Sequence, residues 1–217
     1  MVGKTYKFSN KEIVKVLKEV LAAMEVKKFN YFRIRAYQNV ITIVEGLTIS
    51  LYNLWENKRL DEVPGVGETI KGHLHELFTT GKVMEFDVIR KDLPQGMFEL
   101  IGLRGIGAKK AYKLAKAFKL EGREEVYEKV KQAAEAGKIR ELPGFAEKSE
   151  ALILESISEL KKTKQEKPRM LLMAAEEISA RLTAYLKRHP EITGAVVLGS
   201  LRRRNPTVGD LDVAIKT

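Results

Sequence analysis

Val63-Pro64-Gly65-Val66-Gly67 returns about forty residues later as Leu103-Arg104-Gly105-Ile106-Gly107, and again, weakened, as Leu142-Pro143-Gly144-Phe145-Ala146. Each copy runs into apolar residues at helical spacing: Ile70, Leu74 and Leu77, then Ala111, Leu114 and Ala115, then Ala151, Ile153 and Leu154. An apolar-Gly-apolar-Gly turn that opens a helix is a hairpin between two helices. The glycines let the chain reverse sharply and leave backbone N–H groups uncovered. The helix start adds a partial positive charge, so that turn and helix together make a seat for a phosphate. Carbonyls on the far side of the turn can hold a monovalent cation, Na+ or K+, that bridges to the same phosphate. Lysines follow closely: Lys71 in the first copy, Lys109 and Lys110 in the second, Lys148 in the third. A repeat of this kind sets a helical architecture.

The flanking sequence extends that architecture. Ser9 and Glu12 have capping-box spacing, and Ile13, Val16, Leu17, Val20, Leu21 and Met24 then recur at helical intervals. Further helices are expected over about 30–44 and 48–57, and no strand alternation stands out before about residue 192. Residues 161–168, KKTKQEKP, read as a polar linker. Leu171, Leu172, Ala175, Ile178, Leu182 and Leu186 mark one more helix, which Pro190 ends. Strand periodicity takes over from about 191. The expected fold is mainly α: a helical N-terminal domain with tandem hairpins, then the start of an α/β domain. The expected divisions are 1–90 with the first hairpin, 91–160 with the others, a linker at 161–168, and 169–217.

The 217 residues carry a net charge of +10 and are 44% hydrophobic, enough for ordinary cores. The positive balance favours a polyanionic partner, nucleic acid above all. The chain has no cysteine, which excludes disulfides and thiolate metal sites. It shows no signal-peptide pattern and no apolar run of membrane-spanning length, so a soluble cytoplasmic protein with no membrane partner is expected.

The second chemistry-bearing stretch is Gly194–Thr217, GAVVLGSLRRRNPTVGDLDVAIKT. An apolar strand, Ala195 to Leu198, ends in Gly199-Ser200. Arg202, Arg203 and Arg204 follow, then Gly209-Asp210-Leu211-Asp212. If the last run is a strand, Leu211, Val213 and Ile215 share one face, and Asp210 and Asp212 the other. Two carboxylates about 7 Å apart along a strand can hold divalent cations. A glycine turn with a hydroxyl and nearby arginines can hold the phosphates of a nucleotide.

The repeats resemble the helix-hairpin-helix motif, which grips a DNA backbone without reading bases. In order along the chain, from about Ser9 to Thr217, the features resemble a family X DNA polymerase of the DNA polymerase beta–like repair group, bacterial or archaeal in kind. GSLRRR…VGDLD matches that family's palm signature. The resemblance implies gap-filling repair synthesis, as in base excision repair, by two-metal nucleotidyl transfer with Mg2+ or Mn2+. Asp210 and Asp212 would be two of three metal-binding catalytic carboxylates. Gly199, Ser200, Arg203 and Gly209, with Arg169, would contact a deoxynucleoside triphosphate. Gly65, Gly67, Gly105, Gly107 and Gly144, with Lys71, Lys109 and Lys110, would grip gapped DNA. Backbone carbonyls of Asp61, Val63 and Val66, and of Ile101, Leu103 and Ile106, match the monovalent-cation positions. Arg33, Arg35 and Tyr37 resemble the segment that binds a 5′-phosphate.

Two departures temper the resemblance. The family's sugar-phosphate lyases use a lysine where this sequence has His73, with an auxiliary lysine where it has Thr69. An imidazole forms no stable iminium with a sugar aldehyde, so lyase activity is expected to be weak or absent. Neither His73 nor His75 has metal-site spacing, and both are expected at the surface. No carboxylate follows Asp212, so the chain is expected to be the front part of a polymerase, cut within the palm. It should bind DNA without extending a primer, and its open sheet edge should favour a dimer. The competing expectations are a non-catalytic helix-hairpin-helix module and a nucleotidyltransferase acting on something other than DNA.

Overall fold

The computed structural model describes residues 5–165 and 170–217, and the side chains among them except 161–165. It divides into two compact units, one ending at Ile157 and the other running from Ser158 to Thr217.

The first unit is helical throughout. Helix α1 (Asn10–Val26) starts at Ser9, whose hydroxyl accepts from the Glu12 N–H while the Glu12 carboxylate accepts from the Ser9 N–H. This reciprocal cap satisfies two of the backbone donors that a helix start leaves unpaired. Ile13, Leu17, Val20 and Met24 then fall on one buried stripe. That stripe packs on α2 (Tyr31–Gly46), α5 (Met84–Arg90) and α7 (Ala108–Ala117). Between them lie α3 (Leu51–Glu56), a 3-10 turn at Leu60–Glu62, and α4 (Glu68–Thr80). The Trp55 ring, on α3, stacks at 5.1 Å on Phe78 and at 5.7 Å on His75, both on α4. Helices α6 (Gly96–Leu100), α8 (Val126–Glu135) and the part of α9 (Glu147–Gln165) up to Ile157 complete the set. Helix α9 continues through 161–165, the first part of the stretch expected as a linker, and residues 166–168 lie outside the described residues.

One buried carboxylate ties distant segments of this unit together. Glu19 of α1 is 6% exposed. It accepts both outer guanidinium nitrogens of Arg123 at 2.8 and 2.7 Å, and Arg90 Nη1 at 2.8 Å. Arg123 also reaches Glu99 at 2.9 Å. Helix α1 is thereby joined to α5 and to the segment after α7. Burial alone would raise the Glu19 carboxyl, but the two arginines outweigh it and hold the group below the ordinary carboxylate range.

The second unit is a small α/β assembly. Strand β1 (Met170–Leu171) pairs antiparallel with β3 (Thr207–Val208), and β2 (Gly194–Val197) with β4 (Val213–Lys216). Helix α10 (Leu172–Leu186) and the single turn α11 (Gly199–Arg202) pack on them. The core is Ala175, Leu201 and Val208, flanked by Met170, Leu172, Val197 and Leu211. No helix among the described residues is long and apolar enough to cross a membrane. The protein is thus mainly helical, with small sheets confined to its C-terminal part.

Candidate functional site

The three sequence repeats are three copies of one turn. In each, the residue that opens the repeat donates its N–H three residues back: Val63 to Leu60, Leu103 to Leu100, Leu142 to Ile139, at 3.0–3.1 Å. The fourth residue then donates to the first: Val66 to Val63 at 3.3 Å, Ile106 to Leu103 at 3.1 Å, Phe145 to Leu142 at 3.0 Å. Val66, Ile106 and Phe145 are buried, which pins each turn to the core. Gly65, Gly105 and Gly144 sit at φ of +75°, +73° and +88°, where a side chain would be strained. The carbonyls of Val63 and Leu103 keep a second lone pair after these bonds, which a cation can share.

Gly67 and Gly107 differ in kind. Their φ values of −77° and −86° suit any residue, and a Cβ at either position would meet nothing within 4 Å. Neither conformation nor packing therefore calls for glycine there. Each caps its helix without a side-chain hydrogen bond, so the first-turn N–H groups of α4 and α7 stay open to a ligand that must come close. At the third turn the corresponding residue is Ala146.

Beside the first turn lies a groove of about 420 Å³, lined by Arg33, Ala36 and Tyr37 of α2 and by Gly65, Gly67, Glu68, Thr69 and Ile70. The structure thus brings the Arg33 segment and the first hairpin onto one site. Arg35 is exposed on the same helix. Tyr37 is 1% exposed, and its hydroxyl bonds His73 Nδ1 at 2.7 Å. His73 Nε2 lies 2.7 Å from Glu85 Oε2, and Glu85 Oε1 accepts from Arg33. A carboxylate only accepts, so Nε2 donates to Glu85, and in the neutral ring Nδ1 accepts a hydrogen bond from the Tyr37 hydroxyl. Burial pushes the Tyr37 phenol up to about 12. The hydrogen bond from Arg33, with that from His73, holds the Glu85 carboxyl below its ordinary range.

This network corrects the expectation for His73. It is not a surface histidine: its side chain is 11% exposed and both ring nitrogens are engaged. His75 is exposed, as expected, with its ring against Trp55. Glu85 joins the site from a third helix, and no local spacing announces its meeting with Arg33 and His73. Lys71 bonds Asp61 and, at 2.8 Å, Glu68. These bonds, Asp61's first, raise its pKa and keep it an ammonium ion. In the first turn of α7, Lys109 is exposed and Lys110 half-buried.

In the second unit, Gly199 at φ +63° turns the chain from β2 into α11, and Ser200 follows, half-buried. The Asp212 carboxylate occupies the space that a Cβ on Gly199 would need. The Leu198 N–H donates to the Asp212 carbonyl at 2.8 Å, fixing that approach. Asp210 and Asp212 are both exposed. They precede β4 instead of lying on it, because β3 pairs with β1 and the chain turns through 209–212 before the next strand begins. Gly209 opens that turn. Arg203 is exposed at the end of α11, and Arg204 reaches Glu176 at 3.2 Å. Arg169 lies outside the described residues. Among the described residues no group of three or more His, Cys, Asp or Glu is placed to hold a metal.

Comparison with known proteins agrees with this geometry. Residues 8–83 match a family model described as a helix-hairpin-helix domain, and residues 97–159 one described as a SAM-like helix-hairpin-helix tandem. Over 207 residues, 95% of its length, the chain is 30% identical to the DNA polymerase/3′-5′ exonuclease PolX of Bacillus subtilis (strain 168). It spans 35% of that protein.

Proposed function

We propose, from the premise that the chain is a family X DNA polymerase-like protein, that these residues are the DNA-gripping and nucleotide-binding part of a gap-filling, DNA-directed DNA polymerase acting in base excision repair. The observation that carries this reading is the pair of hairpins with open amides and glycines that the protein itself does not need. A close-approaching phosphate supplies the missing reason. Residues 1–90 would hold the side of a gap that bears a 5′-phosphate, with Arg33, Arg35 and the groove around them. Residues 91–160 would hold the duplex on the other side, and 169–217 the incoming triphosphate.

In the second unit the Asp212 carboxylate stands against the Gly199-Ser200 turn, and Asp210, two residues earlier and exposed, is a second hard-oxygen donor. Mg2+ or Mn2+ accepts such a set, with nucleotide oxygens and water completing it. Such ions, when bound, offset phosphate charge during nucleotidyl transfer. Asp212 would orient the metal–nucleotide against the Gly199-Ser200 turn, Asp210 would add a second carboxylate, and Ser200, Arg203 and Arg169 would hold the triphosphate. Na+ or K+ at the turn carbonyls would complete the two hairpins.

The chain is expected to bind a gapped duplex more tightly than a blunt one, at an affinity that falls steeply with salt, by about 0.9 in log–log slope per phosphate contact. It is expected not to extend a primer, since its residues supply two carboxylates of a catalytic set of three. Anisotropy titrations and a primer-extension gel check both points. Equal affinity for gapped and blunt DNA would favour a non-catalytic helix-hairpin-helix module. Triphosphate binding unchanged by Asp210→Ala would remove the nucleotide assignment. A nucleotidyltransferase acting on a small molecule has no use for the hairpins. Among the described residues β2 and β4 pair only with each other, and the open edges of that pair suit a dimer contact, which light scattering tests. We place the protein in the cytoplasm, with DNA.

Lyase activity is expected to be weak or absent. His73 is clamped by Tyr37 and Glu85, and Lys71 is held charged by two carboxylates. Iminium formation requires a free amine. Borohydride trapping on an abasic-site substrate should give no strong adduct. A strong adduct that disappears in Lys71→Ala would overturn this.

A further inference from the structure

The third hairpin lacks the means by which the first two would seat a phosphate. Ala146 puts a methyl group where Gly67 and Gly107 leave space. The amides of Ile139 and Arg140, on the approach to the turn, both donate to Glu150 Oε2, each at 3.1 Å. Yet a cation is already built into this turn. From α7, Lys113 Nζ donates to the Pro143 carbonyl at 3.0 Å and lies 3.6 Å from the Cβ position of Gly144. Lys110 Nζ sits 5.4 Å from the centre of the Phe145 ring. The contact is reciprocated, for the Arg104 N–H of the second turn donates to Ser156 Oγ on α9 at 3.2 Å. Each turn therefore rests on the helix that the other turn opens.

An ammonium group has three donors. Lys113 gives one to Pro143, and the side chain is exposed, so two remain for an outside acceptor. We propose that Lys113 is the third hairpin's own cation: anchored on the Pro143 carbonyl, its ammonium bridges this turn to a phosphate of bound nucleic acid. It brings to this turn the positive charge that a free monovalent ion would supply at the other two, held on the carbonyl one residue past Leu142, the counterpart of Val63 and Leu103. The assignment rests on the DNA-binding reading above. It extends the footprint of the second hairpin along the Lys109, Lys113 and Lys116 face of α7, which carries four lysines and no acidic residue. Over ten residues at 1.5 Å each, that helix is about 15 Å long. One strand of a duplex presents a phosphate about every 3.4 Å of axis over such a length.

The test uses the whole chain and a fluorescent gapped duplex, titrated across a KCl series. Lys113→Gln should weaken binding about tenfold at low salt, the scale of one charge-assisted hydrogen bond. It should also lower the log–log salt slope by about 0.9, one phosphate fewer. Lys113→Arg should keep the wild-type slope. Lys129→Gln removes the same charge from α8, where Glu125 faces it at 3.7 Å, and should stay within about twofold of wild type. If Lys113→Gln behaves like Lys129→Gln while both unfold at the wild-type temperature, the proposal is wrong. If Gly67→Asp/Gly107→Asp destroys binding while Lys113→Gln keeps the wild-type affinity and salt slope, only the third contact falls. If the wild-type chain binds no DNA, the broader reading falls with it.

Discussion

Gly67→Asp/Gly107→Asp should abolish most DNA binding, by about a hundredfold or more, while leaving the protein as stable as before or slightly more so. On the proposed reading the two effects have opposite signs, because neither backbone nor packing needs glycine at these positions. Both residues sit at helix N-caps with ordinary extended backbone, and a Cβ there meets nothing within 4 Å. Aspartate is among the best N-caps: its carboxylate accepts first-turn N–H groups and complements the helix dipole, so it should match or improve on glycine by a few tenths of a kcal/mol. The same carboxylate would occupy the proposed phosphate seat. It takes the donors and adds a like charge, and removing one charge-assisted hydrogen bond per hairpin weakens binding by about tenfold or more each time. Thermal unfolding and anisotropy on one preparation decide the matter. A parallel fall in stability and binding would mean that the glycines are structural after all.

The second large effect concerns stability. Glu19→Ala should cost about 3 kcal/mol, the lower end of what breaking a buried ion pair costs, because Arg90 and Arg123, with side chains 22% and 36% exposed, regain some water. For a protein of this size that is a fall of about 6–12 °C in unfolding temperature. The pH dependence follows from the lowered carboxyl. Its stabilisation is complete above the unfolded-state value of about 4.3 and drains away as pH falls through the lower folded-state value. Glu19→Gln should therefore flatten the acid side of the stability profile relative to wild type. An unaltered acid limb would show that other carboxylates govern it.

Much of this molecule is legible in its sequence because the signals are local. The Ser9–Glu12 spacing, the three glycine turns and the stripe from Ile13 to Met24 each lie within a few residues, and local rules of capping and periodicity read them directly. The helix-rich fold with small C-terminal sheets follows from the same rules. What escapes reading depends on tertiary approach. Glu85 reaches Arg33 and His73 only after α5 folds back on α2 and α4. Strand β1 is two residues long, too short for any period to show. Gly96 has no sequence signal of its own, yet a Cβ there would stand 2.6 Å from Leu120 Cβ and 2.7 Å from its carbonyl oxygen. The two aspartates read as strand residues because alternation continues across Leu211. The pairing of β3 with β1, which moves them into a turn, is a non-local choice.

The stacked position of Trp55 makes the protein report on itself. It is the only tryptophan, and it lies within the first unit against Phe78 and His75, a few residues from the first hairpin. Its emission therefore follows the melting of that unit. The second unit holds no indole, and Tyr185 is the one tyrosine in it. Selective excitation of the indole against far-ultraviolet dichroism of the whole chain would reveal, without any label, whether the two units unravel together or in turn.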